Sequence, residues 1–188
     1  MSMTVNKRRD DRLPHAFMHK VADVRGGVSV DTAELGGDFL PEGAVLTKPV
    51  NGITHLVKIA VLTAAATNEA TSLQVKKNHN LKKGDVITFK IGGAAYAITA
   101  IDTTGKTDII TLSKTLGVAL AIGDCVSEAK ESGAEGSALK YEPFCVNGTG
   151  QHVKQNSNLA TDAWIIGVTK DNPLPDYVAE KLKGIINY

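Results

Sequence analysis

A chain of 188 residues can carry one domain or two small ones and is long enough to build a hydrophobic core without staples. Its 21 Lys and Arg against 20 Asp and Glu leave a net charge of +1, which provides no global field to gather nucleic acid or an anionic membrane. No apolar run is long enough to cross a bilayer, and Cys125 and Cys145 match neither a CxxC nor a zinc spacing, so both read as buried thiols of a reducing compartment.

Residues 1–27 have six Lys or Arg against three Asp, no sustained apolar period and a Gly26-Gly27 hinge. Such a segment cannot bury enough surface to offset its own ordering entropy, so it is expected to be an extended arm that orders on a partner within a larger assembly. The alternative is that it folds back on its own domain through Leu13, Phe17, Met18 and Val21. No apolar core follows the basic residues, so no secretory or transit signal is expected. Residues 28–42 carry Asp31, Glu34, Asp38 and Glu42 with no Lys or Arg, an acidic connector of charge −4 beside an arm of charge +3.

From residue 40 onward, short apolar runs broken by Gly, Asn and Thr read as many short strands, an all-β pattern. Strands are predicted at 44–46, 54–62, 73–76, 86–91, 94–101, 109–112, 125–128, 140–146, 153–155 and 163–169. Alternation sets Ile87, Phe89 and Ile91 on one face, and Trp164, Ile166 and Val168 on another, both expected to be core. Gly92-Gly93 marks a tight hairpin and 102–106 a second turn, making 86–112 a meander. A pattern L-x-x-G-D-x-(Ile/Val) occurs at 81–87 and 120–126, and 40–46 shares its leucine, glycine and closing apolar residue. It reads as a turn in which the glycine takes a conformation other residues resist and the leucine plugs a barrel end.

This divides the chain into an arm and connector (1–39), a β-rich body (40–71 and 129–188) and an inserted small β-barrel (72–128), with 129–138 as the linker back. Helix is expected only over about 173–184, after Pro173 and Pro175, with Val178, Leu182 and Ile185 on one face and 185–188 as a closing strand.

A search for chemistry assigns no catalytic residue, no cofactor and no metal ligand. Cys145 and His152 flank a turn-like Asn147-Gly148-Thr149-Gly150, and only His15 and His19 have a helical ligand spacing, in a stretch better read as interface. Gly133–Ser137 lacks the Gly-Lys-Ser/Thr ending of a phosphate loop, and the sequon at Asn147 has no secretory context. Lys76, Lys77, Lys82 and Lys83 around Asn78, His79 and Asn80 form the densest basic cluster. They could grip phosphates at the mouth of an SH3-like or OB-like barrel, the alternative function, although few aromatics accompany them.

Gly43-Ala44-Val45-Leu46 after an acidic lead, Trp164-Ile165-Ile166-Gly167-Val168 as a late strand, and Leu174-Pro175 before Leu182, Gly184 and Ile185 resemble the capsid decoration or head-fibre proteins of tailed bacteriophages. The resemblance implies a structural virion protein without catalytic residues that sits on the outer capsid surface and is assembled in the host cytoplasm. Its implied partners are the major capsid protein and further copies of itself, a trimer above other oligomers, with neither membrane nor nucleic acid. Docking is then expected through Lys7, Arg8, Arg9 and Arg12 as charged contacts and Leu13, Phe17 and Met18 as apolar anchors.

Overall fold

The computed structural model describes residues 15–154 and 157–188. In chain order the strands are β1 (Phe17–Asp23), β2 (Val28–Val30), β3 (Phe39–Leu40), β4 (Val45–Leu46), β5 (Ile53–Thr54), β6 (Ile59–Val61), β7 (Ser72–Val75) and β8 (Val86–Thr88). There follow β9 (Ala95–Asp102), β10 (Asp108–Leu112), β11 (Cys125–Ala129), β12 (Cys145–Asn147), β13 (Gln151–His152), β14 (Leu159–Thr161) and β15 (Ala163–Thr169). A single helical turn, α1 (Asp176–Ala179), precedes β16 (Ile185–Asn187). The protein is mainly β, as its short alternating runs predict.

Four sheets form, most of their pairings antiparallel. The first runs β1-β15-β12-β4, with β16 added parallel to β15. Parallel pairing needs a crossover, which the stretch containing α1 supplies. The second, six-stranded sheet runs β6-β11-β8-β9-β10-β7, and its β8-β9-β10 portion is the expected meander. Two smaller sheets, β13-β3 and β14-β2-β5, close the first unit.

The recurrent L-x-x-G-D pattern is one turn built twice. Gly84 and Gly123 have φ of +95° and +92°, in open space, so their backbone conformation alone calls for glycine. Each following aspartate folds back on the turn: Lys82 N–H donates to Asp85 Oδ2 at 2.9 Å and Ala121 N–H to Asp124 Oδ2 at 2.7 Å. The leading Leu81 and Leu120 are buried in the core of the six-stranded sheet. At 40–46, Gly43 keeps the positive φ and Leu40 is buried in the other unit, but Ala44 replaces the aspartate and its cap.

Several expectations are corrected. The inserted barrel does not close: edge strands β6 and β7 share one isolated bridge, Leu62 with Val75, and no ladder. At that seam Lys76 N–H donates to Val61 O and Thr63 N–H to Gln74 O, both at 2.9 Å, and the three-residue β6 extends no further. The six-stranded sheet also begins before residue 72, because β6 and the buried Ala60 and Leu62 belong to its core. The predicted helix at 173–184 shrinks to one turn, confined between Pro175 and Gly184. The stretch 129–138 is docked on the β8–β9 hairpin: Gly92 N–H donates to Ser137 O at 2.8 Å and Ala95 N–H to Gly133 O at 2.8 Å.

Two predicted core stripes are also revised. β8 ends at Thr88, which leaves Ile91 beyond the strand and 38% exposed. On β15 the register skips Ile165 between Trp164 and Ile166, which breaks the expected alternation, and Ile166 is 45% exposed while Ala163, Gly167 and Thr169 are buried. Gly167 has to be small because its neighbours come close. A Cβ on Gly167 would lie 2.8 Å from the Phe17 ring. Trp164 is half-buried under Phe17, at 6.4 Å between ring centroids, and its indole N–H donates to Asp162 Oδ2 at 2.7 Å.

Replacing Gly123 by Ala should destabilise the fold by about 1–2 kcal/mol, the cost of a left-handed backbone for an L residue. Urea denaturation of the variant checks this, since the added methyl meets nothing within 4 Å.

Candidate functional site

The N-terminal segment is anchored in the body from residue 15. His15 Nδ1 lies 2.9 Å from Glu42 Oε2, and Phe17 N–H donates to Glu42 Oε1 at 2.9 Å. β1 then pairs with β15 from Phe17↔Thr169 to Asp23↔Trp164, with register shifts that leave Met18 and Val21 outside the ladder. Bulges of this kind on an edge strand discourage a further strand from adding to it. Lys20 Nζ donates to Gly148 O at 2.6 Å, lies 3.5 Å from Asp162, and sits over both the Phe17 and Trp164 rings.

The expected docking residues therefore separate. Lys7, Arg8, Arg9, Arg12 and Leu13 lie outside the described residues. Phe17 is corrected from a partner anchor to a body residue, packed with Trp164 and against the cluster of Val45, Val146 and Val178. Met18 is 57% exposed and stays available. Beside it, cross-strand register places Ala22 next to Ile166, and His19, Val168 and Ile186 in one row. Ile166, Ile186 and Tyr188 are exposed, so this side of the sheet presents an apolar row to solvent.

The residues weighed for chemistry are not brought together. Cys145 is fully buried, burial pushes its thiol up to about 12, and His152 stacks edge-on against Phe39. Cys125 is likewise pushed up to about 11 by burial and the nearby Asp124. Thiols held this far from ionisation are poor nucleophiles. His15 precedes β1 and His19 lies within it, and along extended chain an i, i+4 pair stands roughly 13 Å apart instead of on one helix face. In the basic cluster, Lys77 donates to Asp108 Oδ1 and Thr103 O, both at 2.6 Å, and Lys82 to Ala33 O at 3.2 Å. These lysines hold the fold's own oxygens.

A cleft of about 430 Å³ opens where the two main sheets meet, lined in part by Glu42, Lys58, Lys76, His79 and Asn172. Glu42 is taken by His15, Lys58 by Asp85, and the His79 ring by Leu81 and Asp108. His79 Nδ1 accepts the Leu81 N–H at 3.0 Å, so the ring is a neutral Nε2–H tautomer facing Asp108 Oδ2 at 3.2 Å, off the line of a hydrogen bond. Burial lowers its pKa from 6.5 against the opposing pull of Asp108.

Sequence reasoning missed the main charge cluster. Lys58, its side chain fully buried, lies 2.6 Å from Asp85 and 3.7 Å from Glu128. Lys140 donates to Glu128 Oε1 at 2.9 Å and approaches Glu34 at 3.8 Å. Glu34 accepts the Tyr141 hydroxyl at 2.6 Å and lies 3.3 Å from His55, whose ring stacks on Tyr141. Burial raises the Glu128 pKa despite its two lysines. Desolvation alone would lower the Lys140 pKa, but its hydrogen bond and charge contact with Glu128 outweigh that and raise it. Asp31, Glu34 and His55 bring ligand atoms within 4.8 Å of one another, a spacing a cation could bridge, although Tyr141 and Lys140 already hold Glu34. The available signal was a charge inside an apolar run, Lys58 in LVKIAVL and Glu128 in CVSEA.

No known protein family, curated protein or solved structure matches this chain.

The lowered pKa of His79 sets a direction for stability. The unfolded chain takes up a proton near pH 6.5 that the folded ring refuses until lower pH, so stability should fall as pH drops from about 7 to 5. Glu128, raised by burial, works in the opposite sense at more acid pH, where its protonation favours the fold. Comparing His79→Gln with the parent protein by urea denaturation across this range separates the two: the variant should lose the histidine part of the slope.

Proposed function

We propose that this is a structural virion protein that binds the outer surface of a tailed-phage capsid and decorates or stabilises it. The observation that carries the reading is the apolar row of Ile166, Val168 and Ile186 beside the exposed Met18, on the sheet that the N-terminal segment joins. A body whose polar groups are largely satisfied internally, with apolar residues left facing solvent on one side of a sheet, fits a surface that another protein covers. The basic residues Lys7, Arg8, Arg9 and Arg12 precede β1 in sequence. Their contribution would fall on association rate and salt sensitivity, and that of Met18 and Ile186 on dissociation.

On this reading the partner is the major capsid protein, the protein acts as a homo-oligomer with a trimer favoured, and its place is the virion surface. No group in it is assigned a catalytic part.

Co-sedimentation with capsids tests the proposal. Deleting residues 1–14, or replacing the exposed Ile186 by Asp, should strongly reduce binding, and the Ile186 variant should keep a nearly unchanged melting temperature, as surface changes do. Full binding by both variants would show that attachment lies elsewhere.

A further inference from the structure

Lys58, Asp85 and Glu128 occupy neighbouring strands of the six-stranded sheet. Lys58 immediately precedes β6, Asp85 immediately precedes β8, and Glu128 lies on β11, which pairs with both. The side chains are 0%, 7% and 4% exposed. A buried ion pair of this kind adds little net stability, because desolvating the charges offsets most of their attraction. Its geometry suits a reaction better than a salt bridge. Lys58 Nζ stands 2.6 Å from Asp85 Oδ2, which holds the nitrogen at the near-attack range of a carboxyl carbon, about 3–3.5 Å.

We propose that Lys58 and Asp85 condense into an intramolecular amide, an isopeptide cross-link, with Glu128 as the proton shuttle. Along the 2.6 Å hydrogen bond the ammonium passes a proton to Asp85 Oδ2 in the reacting configuration, which sets an amine against a carboxylic acid. The amine lone pair attacks Asp85 Cγ to form the new C–N bond and a tetrahedral intermediate. Glu128, 3.7 Å from Nζ, takes a proton from the nitrogen and returns it to the departing hydroxyl, the C–O bond breaks, and water leaves. Ammonium plus carboxylate thus becomes amide plus water, with charge and atoms balanced and no oxidant or co-reactant.

The surroundings support each step. Lys82 N–H, donating to Asp85 Oδ2 at 2.9 Å, fixes the carboxyl group opposite Nζ. Lys140 fixes Glu128 through Oε1, the same oxygen that stands 3.7 Å from Lys58 Nζ, while buried Oε2 has no hydrogen-bond partner. Ser127, Val126 and Ala60 on the neighbouring strands are fully buried, which keeps water from competing. The product would tie the segment entering β6 to the turn entering β8 across the intervening β11.

Intact-mass measurement of the purified, denatured full-length protein tests this. The expected mass is one water below that of the sequence, and proteolysis should yield a branched peptide joining Lys58 to Asp85. Glu128→Gln, which keeps both reacting groups, and Lys58→Arg, which keeps the cation, should both restore the full mass. The full sequence mass in the parent protein would overturn the proposal, and it requires no variant to fold. So would a water loss that persists in Lys58→Arg, since that marks cyclisation at an aspartate instead of a cross-link.

Discussion

The segment from Leu56 to Leu62 is the constraint on which the rest of the structure depends. Within seven residues it supplies all three hydrophobic clusters: Leu56 to the first unit's core, Val57 and Ile59 to the cluster under α1, and Ala60 and Leu62 to the six-stranded sheet. Its backbone is tied on both sides, Val57 N–H to Val45 O at 2.9 Å and Glu128 N–H to Lys58 O at 3.0 Å. Because one extended segment cannot present more than two sides, serving three clusters forces it to pass from one sheet to the other. Lys58 falls at that passage, fully enclosed, and its ammonium dictates that carboxylates be brought to it.

The L-x-x-G-D turn meets this demand. In its simplest form, at Asp124, the carboxylate caps the turn and nothing more. At Asp85 the same oxygen that caps Lys82 also receives Lys58, so a local turn device becomes a long-range tie. In the 40–46 version the aspartate is absent and Gly43 N–H instead donates to Asn147 O at 2.9 Å, binding that turn to the end of β12. One turn geometry thus serves as a plain cap, a charge partner and a sheet contact, according to what stands opposite it.

The strand-rich class, the meander and the turns were legible because each rests on local signals: period-two alternation, glycine at positive φ, and aspartate folding back. The partners of the strands were less so. β1 carries two bulges, so Phe17, His19, Lys20 and Ala22 pair with β15 while Met18 and Val21 stand aside, and this breaks the alternation that would have marked a strand. A polar, aperiodic stretch then reads as an arm. On β15 both sides are apolar, and size misleads: the bulky Ile166 is 45% exposed, while the small Ala163 and Gly167 are buried. The charge cluster draws Glu34, Lys58, Asp85, Glu128 and Lys140 from distant positions, and only their tertiary placement reveals it.

The two features that the interior does not require point in different directions. The Lys58–Asp85–Glu128 group is sealed within the six-stranded sheet and concerns how firmly that sheet is held. The Ile166–Val168–Ile186 row lies on the other main sheet and concerns what the protein touches. The same 56–62 segment separates them, anchoring the sheet that bears the exposed row through Val57 while enclosing the charges at Lys58. The proposed cross-link at Lys58 would fasten this segment to the turn that enters β8.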